Sequence, residues 1–115
     1  MASSPNNETG KYILEGHEPI EEPDLLKWAL WLERADCHVR DTFRDDVRVS
    51  TVFLGLDHSF GHGPPLLFET MVFVNGISET CDRYSTWAEA EEGHARQVKA
   101  IFKATPILTA PDKAD

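Results

Sequence analysis

The stretch that decides the fold is STVFLGLDHSFGHGPPLLFETMVF, residues 50–73. Its first strand extends back to Val47. Val47, Val49, Thr51 and Phe53 share one face, while Arg48 and Ser50 share the other. This is the two-residue period of a half-covered strand. The second half, VFLGL, is apolar on both faces, so the strand over 47–56 begins half-exposed and ends covered on both sides. A second strand, over 66–74, is almost unbroken in apolar character. The residues between them, DHSFGHGPP at 57–65, are rich in Gly and Pro and predict a long hairpin loop. Loops beyond tight-turn length often carry function.

Upstream, Tyr12, Ile13 and Leu14 form a short candidate strand. The following GHEPIEEP, 16–23, is punctuated by two prolines and predicts a connector. A helix is expected over 23–37, with Pro23 in its first turn. Leu25, Trp28, Leu32 and Ala35 recur at helical spacing, and Leu26, Ala29 and Leu30 widen the stripe. Glu21, Glu22 and Asp24 at its start and Arg34, His38 and Arg40 near or past its end complement the helix dipole.

Downstream, residues 81–85 predict a third strand of the sheet. Thr86 and Glu89 then match a capping box, which opens a helix over 87–102. Trp87, Ala90, His94, Val98 and Ile101 form its stripe. The order β-α-β-β-β-α predicts an α+β fold: a small antiparallel sheet with two helices packed on one face. The opposite face, with Val52, Leu54 and Met71, then needs a cover. The termini, the 16–23 connector, a second copy of the chain or a partner protein would each supply one.

The 115 residues suit one domain, expected over 11–104 between flexible tails at 1–10 and 105–115. A hydrophobic share of 41% with 27% charged residues is a globular mixture. No apolar run reaches membrane-helix length, and the N-terminus shows no basic start or apolar h-region. A soluble, cytoplasmic protein is expected. The net charge of −9 lacks the basic footprint that nucleic-acid binding needs. It suits a basic protein surface, or serves solubility alone. Cys37 and Cys81 form no CxxC and read as two reduced, mostly buried thiols.

Five polar residues could carry chemistry: Asp57, His58, His62, Glu69 and His94. One reading gathers them into a site, with Glu69 facing His94 and the loop residues above. Such a group could hold a divalent metal or perform acid–base work. In the other reading Glu69 pairs with a cross-strand arginine, Arg48 or Arg83, and His94 is a hydrogen-bonded core residue. No HExxH, phosphate-binding glycine fingerprint or GxSxG is present. The four-residue spacing of His58 and His62 has no helix to give it geometric meaning. Trp28 and Trp87 take core-facing helical positions. Trp31 lies off the main stripe and is a candidate anchor for a partner.

The words STVFLGLDH, PLLFETMVF and YSTWAEAEEGH, together with DLLKWALWLERAD, resemble a group of small, mostly uncharacterised phage and prophage proteins. The likeness covers most of the expected domain. Members often carry Gly-Gly after the second strand, where this chain has Asn75-Gly76. The resemblance implies a phage accessory protein acting inside the bacterial host, among host-interaction factors such as inhibitors of CRISPR and other defences. Two functional classes follow. The first is a non-enzymatic binding or inhibitory protein with a host or phage protein as partner. The second is a small metal- or nucleotide-binding pocket at the 57–65 loop, with hydrolysis as one use of it.

Overall fold

A computed structural model describes residues 9–103, with only the backbone at 79–81 and 103. The described residues form six strands and two helices: β1 (Tyr12–Glu15), β2 (Glu18–Glu21), α1 (Leu25–Arg34), β3 (His38–Arg44), β4 (Val47–Phe53), β5 (Phe68–Val74), β6 (Ile77–Tyr84) and α2 (Trp87–Lys103). β3-β4-β5-β6 make an antiparallel four-stranded sheet in sequence order, and β1 and β2 form a separate hairpin. The architecture is the expected α+β. Apart from Thr9 and Gly10, the expected tails at 1–10 and 105–115 lie outside the described residues. Gly10 accepts a hydrogen bond from Asp57 N–H and so belongs to the folded part.

The pair β4–β5 forms the centre of the sheet. Val47, Val49, Thr51 and Phe53 are buried on one face, beside Phe68, Thr70 and Val72 of β5. α2 lies across this face and touches all four strands. Its start joins a cluster of Phe53, Leu67, Phe68, Tyr84 and Ala90. Its end closes a second cluster, in which Phe102 meets Val47, Val49 and Val72. The capping box forms as expected: Thr86 Oγ1 accepts from Glu89 N–H, and Glu89 Oε1 accepts from Thr86 N–H. Gly93 is needed midway along α2, because a Cβ there would overlap the Tyr84 ring and hydroxyl.

Two strands have no counterpart in the sequence reading. The 16–23 segment is not a plain connector, because Glu18–Glu21 pairs with Tyr12–Glu15. Glu22 N–H donates to the Lys11 carbonyl, which makes 11/22 a hydrogen-bonded pair. Such pairs alternate along an antiparallel ladder. Pro19, opposite Leu14, therefore falls at a non-bonded position, where its missing N–H costs no ladder bond. The second departure is β3, which sequence reading left unassigned. As an edge strand it exposes polar side chains on both faces, and a bulge between His38 and Arg40 breaks its alternation.

Helix α1 is shorter than the expected 23–37. Asp24 is its cap, with Oδ1 accepting from Lys27 N–H at 3.0 Å, so Pro23 precedes the helix. Trp31 meets Phe53 edge-on at 5.8 Å, and Trp28 Nε1–H donates to the Gly55 carbonyl at 3.0 Å. α1 thus attaches at one end of the same sheet face that α2 covers.

The opposite sheet face is not the bare apolar surface that the sequence suggests. Arg48 pairs with Asp41 at 3.0 Å, and Arg83 with Glu69 at 3.2 Å. The Arg48 guanidinium also sits over the rings of Phe43 and Phe73, at 5.3 and 5.8 Å from their centroids. Its long side chain covers apolar neighbours while the charge stays in water.

Candidate functional site

The structure does not bring the five sequence candidates into one site. Glu69 lies opposite Val52 on the outer sheet face, in its pair with Arg83. His94 lies on the inner face, where Nδ1 meets Thr51 Oγ1 and Nε2 meets Thr42 Oγ1, both at 2.8 Å. The two cannot face each other through the sheet. Arg83 is one of the two cross-strand partners that the structural reading offered, and register selects it.

His94 is 3% exposed and closes a chain of hydroxyls. Thr51 Oγ1 meets Thr70 Oγ1, which accepts from the Tyr84 hydroxyl at 3.1 Å. One assignment runs through all four contacts: Tyr84 donates to Thr70, Thr70 to Thr51, Thr51 to Nδ1, and Nε2–H to Thr42. That chain requires a neutral imidazole. Burial holds the His94 pKa below its usual value, with the nearby Arg40 charge acting the same way and Asp41 opposing. Closed off from solvent and bonded at both nitrogens, His94 organises the core.

Among the loop candidates, Asp57 has a structural part. Asp57 Oδ1 accepts from Ser59 N–H at 2.7 Å and from Leu66 N–H at 3.0 Å, pinning both ends of the 57–65 loop. Burial pushes the Asp57 pKa upward, but these two amides, with smaller contributions from the Ser59 side chain and His58, hold the carboxylate below its ordinary range. His58 is half-buried beside Phe60, and His62 is exposed. Among the described residues no group of three or more His, Cys, Asp or Glu side chains is gathered to hold a metal ion. Cys37 is a free, half-buried thiol whose pKa is raised by burial and by Asp36. The Cys81 side chain lies outside the described residues.

A different site is present. The β1–β2 hairpin, the Pro64-Pro65 end of the loop and the start of α2 enclose a cleft of about 820 Å³. Such a volume falls in the range of small-ligand pockets. Tyr12, Pro64, Pro65, Leu67 and Trp87 form apolar walls, and Glu15, Glu18 and Glu91 give it an acidic rim. The Tyr12 hydroxyl stays protonated, its pKa raised by burial and then by Glu21 and Asp57. His17, at the hairpin turn, stacks on Trp87 at 3.7 Å with an interplanar angle of 3°.

No family model matches this chain, and no curated protein or solved structure matches it either.

The sequence held part of the cleft's signal, in the aromatic Trp87 inside the Thr86/Glu89 capping box and in the doublet Pro64-Pro65. Its other walls come from Tyr12 and His17, and only the hairpin that was read as a connector brings them together. Trp31, the candidate partner anchor, is half-buried and spends one edge on Phe53. With Leu30, Arg34 and Ala35 it lines a hollow along α1. The helix is unusual. No residue of α1 is buried, and Leu25, Leu26 and Leu30 are 65%, 67% and 41% exposed.

Proposed function

We propose that this chain acts by binding a protein partner, as a small acidic phage accessory protein that engages a component of the bacterial host in its cytoplasm. In this reading it is a host-interaction factor of the counter-defence type, comparable to CRISPR inhibitors, and not an enzyme. The observation that carries the proposal is the leucine face of α1. A helix that is apolar nearly all round is normally buried, yet LLKWALWLER is held to the domain by one side only, through Trp28, Trp31 and Leu32. Its other side presents Leu25, Leu26, Ala29 and Leu30 to solvent. An exposed apolar helix face of this kind supplies anchors at helical spacing to a groove on a partner.

The leucines are large enough to matter. Burying a leucine fully is worth about 1.5–3 kcal/mol. Scaled by the exposures above, the three together offer about 3–5 kcal/mol to an interface, or at least roughly a hundredfold in affinity. The net charge of −9 supports a basic partner surface, because complementary charge speeds association. The resemblance to small phage proteins supports the host setting. The test is capture from bacterial lysate by the wild-type chain and by the variant Leu25→Ser/Leu26→Ser/Leu30→Ser. A defined partner held only by the wild type supports the proposal. Equal recovery by both, or none by either, overturns it.

A further inference from the structure

The cleft beneath the hairpin has a chemistry of its own. Glu15 and Glu18 are direct cross-strand partners on either side of the hairpin turn. Like charges placed so are mutually destabilising, and a cation between them would relieve the pair. Among the described residues lining the cleft there is no lysine or arginine. Glu91, the third carboxylate, already has a cation in Arg40 at 3.6 Å. The unmet negative charge is therefore at the hairpin end, next to the Trp87 ring.

The stacked pair shows what shape this end accepts. His17 is a flat ring that can carry a positive charge, and it lies parallel to Trp87 at 3.7 Å. A guanidinium has the same planarity, keeps its charge at every physiological pH and stacks on aromatic faces. Finally, Tyr12, Pro19, Pro64 and Pro65 supply flat, rigid apolar walls. Aromatic- and proline-lined grooves of this kind suit an extended, proline-containing chain.

We propose that the cleft between the β1–β2 hairpin and the start of α2 binds an arginine-bearing, proline-containing peptide segment. The arginine guanidinium displaces His17 from the Trp87 face and sits between Glu15 and Glu18. His17 is then an internal occupant, released when the peptide enters. Leu25, Leu26 and Leu30 do not line the cleft, so this inference and the leucine-face proposal stand or fall separately.

The test titrates the full chain with the capped peptide acetyl-PPRPP-amide and follows the three tryptophan indole N–H resonances. Trp87→Phe assigns the relevant one. The Trp87 resonance should move while those of Trp28 and Trp31 hold still. A peptide with citrulline in place of arginine, equal in shape but neutral, should bind at least about tenfold more weakly. Glu15→Gln/Glu18→Gln should weaken the arginine peptide by a similar factor, and His17→Ala should tighten it. A Trp87 resonance that stays fixed at millimolar peptide overturns the inference. So does equal binding of the citrulline peptide, indifference to the paired glutamine variant, or weaker binding by His17→Ala. Free argininamide that binds as tightly as the peptide would overturn the assignment to a peptide.

Discussion

Replacing Gly93 with alanine should destabilise this protein, against the usual rule for a glycine inside a helix. Propensity alone favours alanine there by about 1 kcal/mol. Gly93 is buried on the sheet-facing side of α2, however, and a Cβ would run into the ring and hydroxyl of Tyr84. Tyr84 is 8% exposed and cannot swing aside without leaving its hydrogen bond to Thr70. Overpacking of this kind costs about 1–3 kcal/mol. Loss of the hydroxyl's bond adds about 1 kcal/mol. After the helix gain is subtracted, Gly93→Ala should lose about 1–3 kcal/mol. Urea unfolding followed by far-UV circular dichroism reads this as a lower midpoint at unchanged slope. The same substitution in a Tyr84→Ala background, where the ring is gone, should be neutral or stabilising. The reasoning fails if Gly93→Ala alone stabilises the protein, or if its cost is the same in both backgrounds.

Two further outcomes follow from the buried polar groups. His94 is neutral in the fold with its pKa held below the usual 6.5, so the unfolded chain takes up its proton first as pH falls. Its stabilising contribution is complete above about pH 6.5 and declines below it. Urea midpoints measured between about pH 7.5 and 5.5 should therefore fall, and His94→Gln should show a smaller fall; an identical fall in both proteins would contradict the neutral chain of hydroxyls. Asp57→Ala removes the acceptor for two loop amides and should cost about 1–2 kcal/mol. Hydrogen exchange at Ser59 and Leu66 should quicken, and unchanged protection at both would show that something else pins the loop.

The features legible in the sequence were those encoded locally. The Thr86/Glu89 capping box fixes the start of α2 within four residues of chain, and its helix was read nearly to the residue. Strands β4 and β5 were legible because their apolar pattern is set by burial against α2. The hairpin partner β2 was not, because Pro19 reads as a breaker until ladder parity shows that its N–H is not needed. β3 was hidden because its edge position leaves most of its residues in water. For the candidate site, residue types alone could not decide which face of the sheet Glu69 and His94 occupy. Strand register places Glu69 beside Arg83 and leaves His94 among threonines. The cleft was illegible for the same reason, since Tyr12, His17, Pro64 and Trp87 meet only once the hairpin folds over the end of the sheet.

The most direct test of the account is quantitative capture of a partner from bacterial lysate by the wild-type chain and by Leu25→Ser/Leu26→Ser/Leu30→Ser, with both proteins checked for equal thermal stability. The three leucines are exposed and absent from both core clusters, so their melting temperatures should agree. The account predicts one stoichiometric protein held by the wild type and reduced at least about a hundredfold by the variant. Equal capture by both proteins, or a variant that no longer folds because those leucines belong to the core, would contradict it.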